Sequence, residues 1–173
     1  MSNKKHNNAA FVGSTAKDGY EASVAARALN RAGYCPQLKG HVHEILFCDK
    51  FNANPGNIVN GKHMELTKSA TAKMKDVIVK NSSGRVVGHA QLKDTVSSAG
   101  VKKTADQILK GHYNKTKIFG TKETAAKVGK KLAGKGAQEI NSSGISSETT
   151  KRIANRALGK VSTVSEIRGA AAS

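Results

Sequence analysis

One stretch constrains this chain more than any other: Lys75–Thr95, K-D-V-I-V-K-N-S-S-G-R-V-V-G-H-A-Q-L-K-D-T. The β-branched residues Val77, Ile78, Val79, Val86 and Val87 flank Asn81-Ser82-Ser83-Gly84. Those four are turn formers, since asparagine and serine side chains bond their own backbone and glycine tolerates positive φ. The spacing predicts a hairpin with Asn81 opposite Gly84, Val79 opposite Val86, Val77 opposite Gly88 and Asp76 opposite His89. Alternation then sorts the side chains. Val77, Val79, Val86, Gly88, Ala90 and Leu92 share an apolar face that some other layer must cover. The opposite face carries Ile78 and Val87 near the turn and, at the open end, Asp76, His89, Gln91 and Lys93. An acid, an imidazole, an amide and an amine gathered there are either solvated or working.

The covering layers are legible as helices. Lys17 to Arg31 reads as an Ala-rich helix with Tyr20, Val24, Ala28 and Arg31 along one stripe, ended at Ala32-Gly33. It either rests on the sheet or turns Arg27 and Arg31 outward towards a polyanion. Leu38 to Asn52 is a second helix in which Glu44, Phe47, Cys48 and Phe51 recur at helical spacing, so an acid lies on an apolar stripe. Buried charges need a partner or a metal. The competing face is Val42, Ile45 and Leu46, which would put Glu44 at its edge. His41 and His43 flank the acid and suit phosphate contact or, less well, metal ligation.

Asn52 to Thr71 reads as a loop around the Asn54-Pro55-Gly56-Asn57 turn signal. After the hairpin, Ser97 to His112 begins flexibly and continues as a helix capped near Thr104. His112 to Lys115 form a polar loop, and Thr116–Gly120 is a short buried strand parallel to the hairpin. Two similar helices follow at an offset of 25 residues: Glu123 to Lys131, ending at Gly134-Lys135, and Glu148 to Arg156, ending at Gly159-Lys160. Each has an acid at its positive end and basic residues towards the other, as the helix dipole favours. Thr163 to Glu166 resembles a capping box, and Gly169 to Ser173 reads as a fraying tail.

The expected domain is therefore α/β, a central mixed sheet of about four strands flanked by helices. Residues 1–16 read as a flexible basic tail. Residues 17–168 read as a single domain with a core near 38–120 and a basic helical part over 121–168. At 173 residues the chain is long enough to bury a core. Its formal charge of +17 points to a polyanionic partner, nucleic acid first, because lysine and arginine displace counterions from phosphates. No apolar run approaches the length of a membrane span, and the polar start is unlike a signal peptide. The two cysteines suggest a reducing compartment, hence a cytoplasmic protein. An aromatic content of 4%, without tryptophan, argues against a base-stacking platform.

An Asp at the start of one strand followed, after a hairpin, by Gln-x-Lys resembles the PD-(D/E)XK nuclease superfamily, of restriction-endonuclease-like fold. Here the residues are Asp76 and Gln91-Leu92-Lys93, with Lys75 where the family has proline and Gln91 in place of an acid. The resemblance covers roughly residues 40 to 120 and implies a further Glu from a helix before the hairpin, for which Glu44 is placed. It implies a Mg2+-dependent endonuclease, with Mn2+ as a possible substitute. Asp76, Glu44, the Gln91 side-chain oxygen and the Leu92 carbonyl would ligate the ion, while Lys93 would activate water or stabilise phosphate charge. Double-stranded DNA is the expected substrate, contacted by His89, Lys102, Lys103, Lys110, His112, Lys115 and Lys117. Cutting both strands implies a homodimer or higher symmetric oligomer. The alternatives are a non-catalytic nucleic-acid binder and a nuclease toxin domain.

Overall fold

The Ala-rich stretch ahead of Gly33 forms one long helix, α1 (Lys4–Ala32). It ends where Gly33, at φ 66, turns its N–H back to the Leu29 carbonyl. A computed structural model gives the fold, describing residues 4–68 and 75–160, with side chains from residue 15 onward. The helix thus begins well before the Lys17 start expected from the sequence, because no proline interrupts the stretch read as a tail. The Thr163–Glu166 capping box and the Gly169–Ser173 tail lie outside the described residues.

Next comes α2 (Leu38–Asn52), with the bounds its periodicity predicts. Its two competing faces are both buried. Val42, Ile45 and Leu46 pack with Val24 and Ala28 of α1, and Phe47, Cys48 and Phe51 pack on the sheet. The loop expected beyond it instead holds a one-turn helix, α3 (Pro55–Val59), and a strand, β1 (His63–Leu66). The turn signal there acts as a cap: the Asn54 side chain accepts from the N–H groups of Gly56 and Asn57, with Pro55 opening the helix.

The hairpin pairs β2 (Val77–Lys80) with β3 (Val86–Lys93), two residues out of the expected register. Val77 faces Ala90, Ile78 faces His89 and Val79 faces Gly88, and a bulge between Val79 and Lys80 brings Lys80 opposite Val86. The turn is the cause. Asn81 Oδ1 accepts from the backbone of Ser83 and Arg85, and Asn81 N donates to the Arg85 carbonyl, so Arg85 and not Gly84 closes it. A shift of two keeps most side chains on their predicted faces, whereas a shift of one would invert them. Val86, beyond the bulge, is 49% exposed instead of joining the apolar face.

Helix α4 (Ser98–Leu109) follows directly, capped by Ser97, whose side chain accepts from Gly100 N. The S-S-A-G segment is therefore its first turn, and Thr104, expected as the cap, is buried inside it. The chain then alternates through β4 (Lys117–Gly120), α5 (Lys122–Leu132), β5 (Ile140–Ser142) and α6 (Ser147–Ala157). Among the described residues five strands lie in the order β1-β2-β3-β4-β5, the first three antiparallel and the last two parallel to β3. This is the mixed α/β sheet predicted, with one strand more than expected. Helices α1, α2 and α6 pack together on one side, where Leu92, Ala90 and Val77 meet α2. On the other, α4 and α5 cover Ile118.

The likeness of the two helices extends to their caps: Thr121 accepts from Thr124 N and Ser146 from Thr149 N, and Gly134 and Gly159 both take positive φ. One buried carboxylate pins the second of these helices to the sheet. Asp94, whose side chain is 1% exposed, accepts from the hydroxyls of Ser147 and Thr150 at the start of α6. Asp94→Ala should lower stability by about 2 kcal/mol, the usual cost of unpartnered buried groups, as read by urea denaturation. A variant as stable as the parent would show that α6 is held by its apolar contacts alone.

Candidate active site

Two of the residues singled out by sequence, Asp76 and Gln91, meet at the open end of the hairpin. Asp76 lies just before β2, its N–H donating to the Ala90 carbonyl and its own carbonyl accepting from Thr67 N. That anchors its backbone between β1 and β3. Its Oδ2 accepts two hydrogen bonds, from Gln91 Nε2 at 2.6 Å and from Leu92 N at 2.7 Å. Oδ1 has no hydrogen-bond partner among the described residues. Burial pushes the Asp76 carboxyl up to about 6 against the bond from Leu92 N; the Glu44 charge raises it further, and Lys93 and Gln91 pull it down. Of the set expected from the sequence, Asp76 and Gln91 are brought into direct contact.

Gln91 is 8% exposed, and its side-chain oxygen is buried without a hydrogen-bond partner among the described residues. An orphaned amide oxygen beside a desolvated carboxylate wants a cation or a donor, since leaving it unmet costs free energy. Glu44, also buried, lies on α2 with its Oε2 3.4 Å from Arg31 Nε and 3.3 Å from His41 Nδ1. The arginine contact is an ion pair without hydrogen-bond geometry, for Arg31 Nε has no hydrogen-bond partner among the described residues. Arg31 NH1 also donates to the Thr67 carbonyl. Among the described residues no three His, Cys, Asp or Glu side chains cluster as a metal site. Any divalent ion would rest on Asp76, Glu44 and neutral oxygens, which is the set magnesium accepts alongside several waters. The orphaned Gln91 oxygen fits that need.

The other expected contacts are dispersed. Lys103, Lys110, His112, Lys115 and Lys117 are exposed, as a phosphate contact requires, while Lys102 pairs with Asp106 at 2.6 Å on the α4 surface. His89 Nε2 donates to the Lys115 carbonyl, and both line a groove with Lys117, Phe47, Val87 and Phe119. Arg27 is not turned outward to a polyanion: it grips Asp49 through both nitrogens, and Tyr20 donates to the same carboxylate. His43 is not placed to contact phosphate. It is fully buried, its Nε2 2.8 Å from Ser143 Oγ.

Two partners escaped the sequence reading. Arg31 reaches Glu44 only because α1 crosses α2. Tyr113, 4% exposed, lies under the Lys93 ammonium, its ring centroid 4.9 Å away. Its only sequence signal is an aromatic inside a polar loop. No helix among the described residues is long and apolar enough to cross a membrane. No family model, curated protein or solved structure matches this chain.

Proposed function

We propose that this chain is a divalent-metal-dependent endonuclease that hydrolyses phosphodiester bonds, DNA in preference to RNA. The observation that carries the reading is the buried Asp76–Gln91 pair with its spare amide oxygen. A carboxylate is held desolvated only where something offsets the cost, and a cation does so. The PD-(D/E)XK resemblance is supported by the elements around it: the acid-bearing α2 precedes the hairpin, α4 follows β3 at once, and β4 then pairs parallel to β3. The overall charge of +17 supplies the attraction for a phosphate backbone. Two free cysteines suit a cytoplasmic setting, and paired copies would serve a double-strand cut.

Each side chain has a task. Asp76 is aimed by two donors on one oxygen, which turns the other towards the ligand. Glu44, loosely paired, can exchange Arg31 for a stronger cation. Gln91 and the Leu92 carbonyl add neutral oxygens. Lys93, two residues along the same strand from Gln91, brings a positive charge to the scissile phosphate. A bound Mg2+ would neutralise phosphate charge and acidify a water.

The test is a supercoiled plasmid incubated with the protein and Mg2+, Mn2+ or a chelator. Nicking that needs the metal, and that falls by about 100-fold or more in Lys93→Ala as for other lost charge-stabilising donors, is the expected result. The rival is a basic binder without catalysis, favoured by the hold of Arg31 and His41 on Glu44. It predicts a retarded but uncut plasmid under every metal condition, and that outcome removes the nuclease.

A further inference from the structure

Lys93 can serve the reaction only if its long side chain is held where the phosphate arrives. Its surroundings supply such a hold. The Nζ sits 4.9 Å from the centroid of the Tyr113 ring, and a ring face attracts an ammonium but not a neutral amine. The ring is itself fixed. Tyr113 OH donates to Gln107 Oε1 of α4 at 2.9 Å, the ring packs in the core of Ile108 and Ile118, and His112 meets it edge-on at 4.9 Å. The loop beneath it is equally determined. Gly111 takes φ 74, and a Cβ there would meet the Asn114 side chain at 2.6 Å. A lysine side chain otherwise loses considerable rotamer freedom when held in one place.

We infer that Tyr113 is the positioning residue for Lys93, its fixed ring face holding the end of that long side chain in one place so that Lys93 meets the scissile phosphate in a set position. This rests on the nuclease reading above and extends it. The loop that carries Tyr113 also presents His112 and Lys115 to solvent, so a strand bound along that loop would meet the ammonium that Tyr113 fixes.

The test compares Tyr113→Phe, which keeps the ring and loses the Gln107 bond, with Tyr113→Leu, which loses the ring. Steady-state plasmid nicking with Mg2+ should show kcat falling about 10-fold in Tyr113→Leu with KM nearly unchanged, and near-parental kcat in Tyr113→Phe. Proton NMR supplies a readout independent of turnover: ring current should move the Lys93 ε-methylene upfield in the parent and in Tyr113→Phe, and not in Tyr113→Leu. Equal kcat in all three with metal-dependent nicking intact overturns the positioning role and leaves the nuclease standing. A parent that never nicks overturns the nuclease and this role with it. Should Tyr113→Leu fail to fold, the parent alone decides: a Lys93 ε-methylene at the ordinary lysine position shows that the ring does not hold it.

Discussion

Replacing Asp76 by asparagine should stabilise the protein while abolishing metal-dependent cleavage. Asparagine keeps an oxygen to accept from Gln91 Nε2 and Leu92 N, so the local hydrogen bonds survive. What disappears is a charge held mainly against desolvation. The Asp76 carboxyl is pushed from 3.8 to about 6 in the fold, so its ionisation opposes folding. The sign follows from linkage: the penalty is absent below the unfolded value, grows as pH rises and is complete above about 6. A shift of that size corresponds to about 3 kcal/mol. In a domain of this size the variant should melt several degrees above its parent at pH 8, with the gap closing as pH falls and gone near 3.8. Cleavage should drop by about 100-fold or more, because losing a carboxylate that places the cation removes several kcal/mol of charge stabilisation. Metal affinity in the parent should weaken as pH falls through about 6, where the carboxylate takes up its proton. Identical melting curves at pH 8 would mean that the carboxylate is not held at a cost, and the main support for the site would go.

That trade of stability for a poised charge explains which parts of the site were legible in the sequence. The hairpin announced itself through β-branched runs and a turn cluster, and its alternation placed Asp76, Gln91 and Lys93 together even though the register was two residues out. Helical spacing put Glu44 on a buried stripe of α2, and the short strand beside the hairpin was readable as β4. Strand β1 was missed because its four residues gain stability only from pairing with β2, and β5 because three residues carry no period. The Arg31–Glu44 pair, the Tyr113–Lys93 contact and the Asp94 bonds to Ser147 and Thr150 are tertiary. They join residues from 13 to 56 positions apart, and no local pattern encodes them.

His43 makes the complementary prediction, because it is a base where Asp76 is an acid. Its imidazole is fully buried between α2 and the turn after β5, one nitrogen bonded to Ser143 and the other, Nδ1, without a partner. Burial lowers it from 6.5 to about 4, with Asp94 opposing that shift and Lys39 adding to it. The folded protein therefore resists a proton that the unfolded chain accepts. The penalty is absent above 6.5, grows as pH falls and is complete below about 4, amounting to about 3 kcal/mol. Asp76 acts in the opposite direction over an overlapping window, so in the parent the two effects partly cancel. Urea denaturation in the Asp76→Asn background separates them. There the stability should decline steadily between pH 6.5 and 4.5, and adding His43→Gln should flatten the decline while costing about 1–2 kcal/mol at pH 7.5 through the altered bond to Ser143. Parallel pH profiles with and without His43 would show that its ring is not the group resisting protonation, and the acid sensitivity would then lie with the carboxylates.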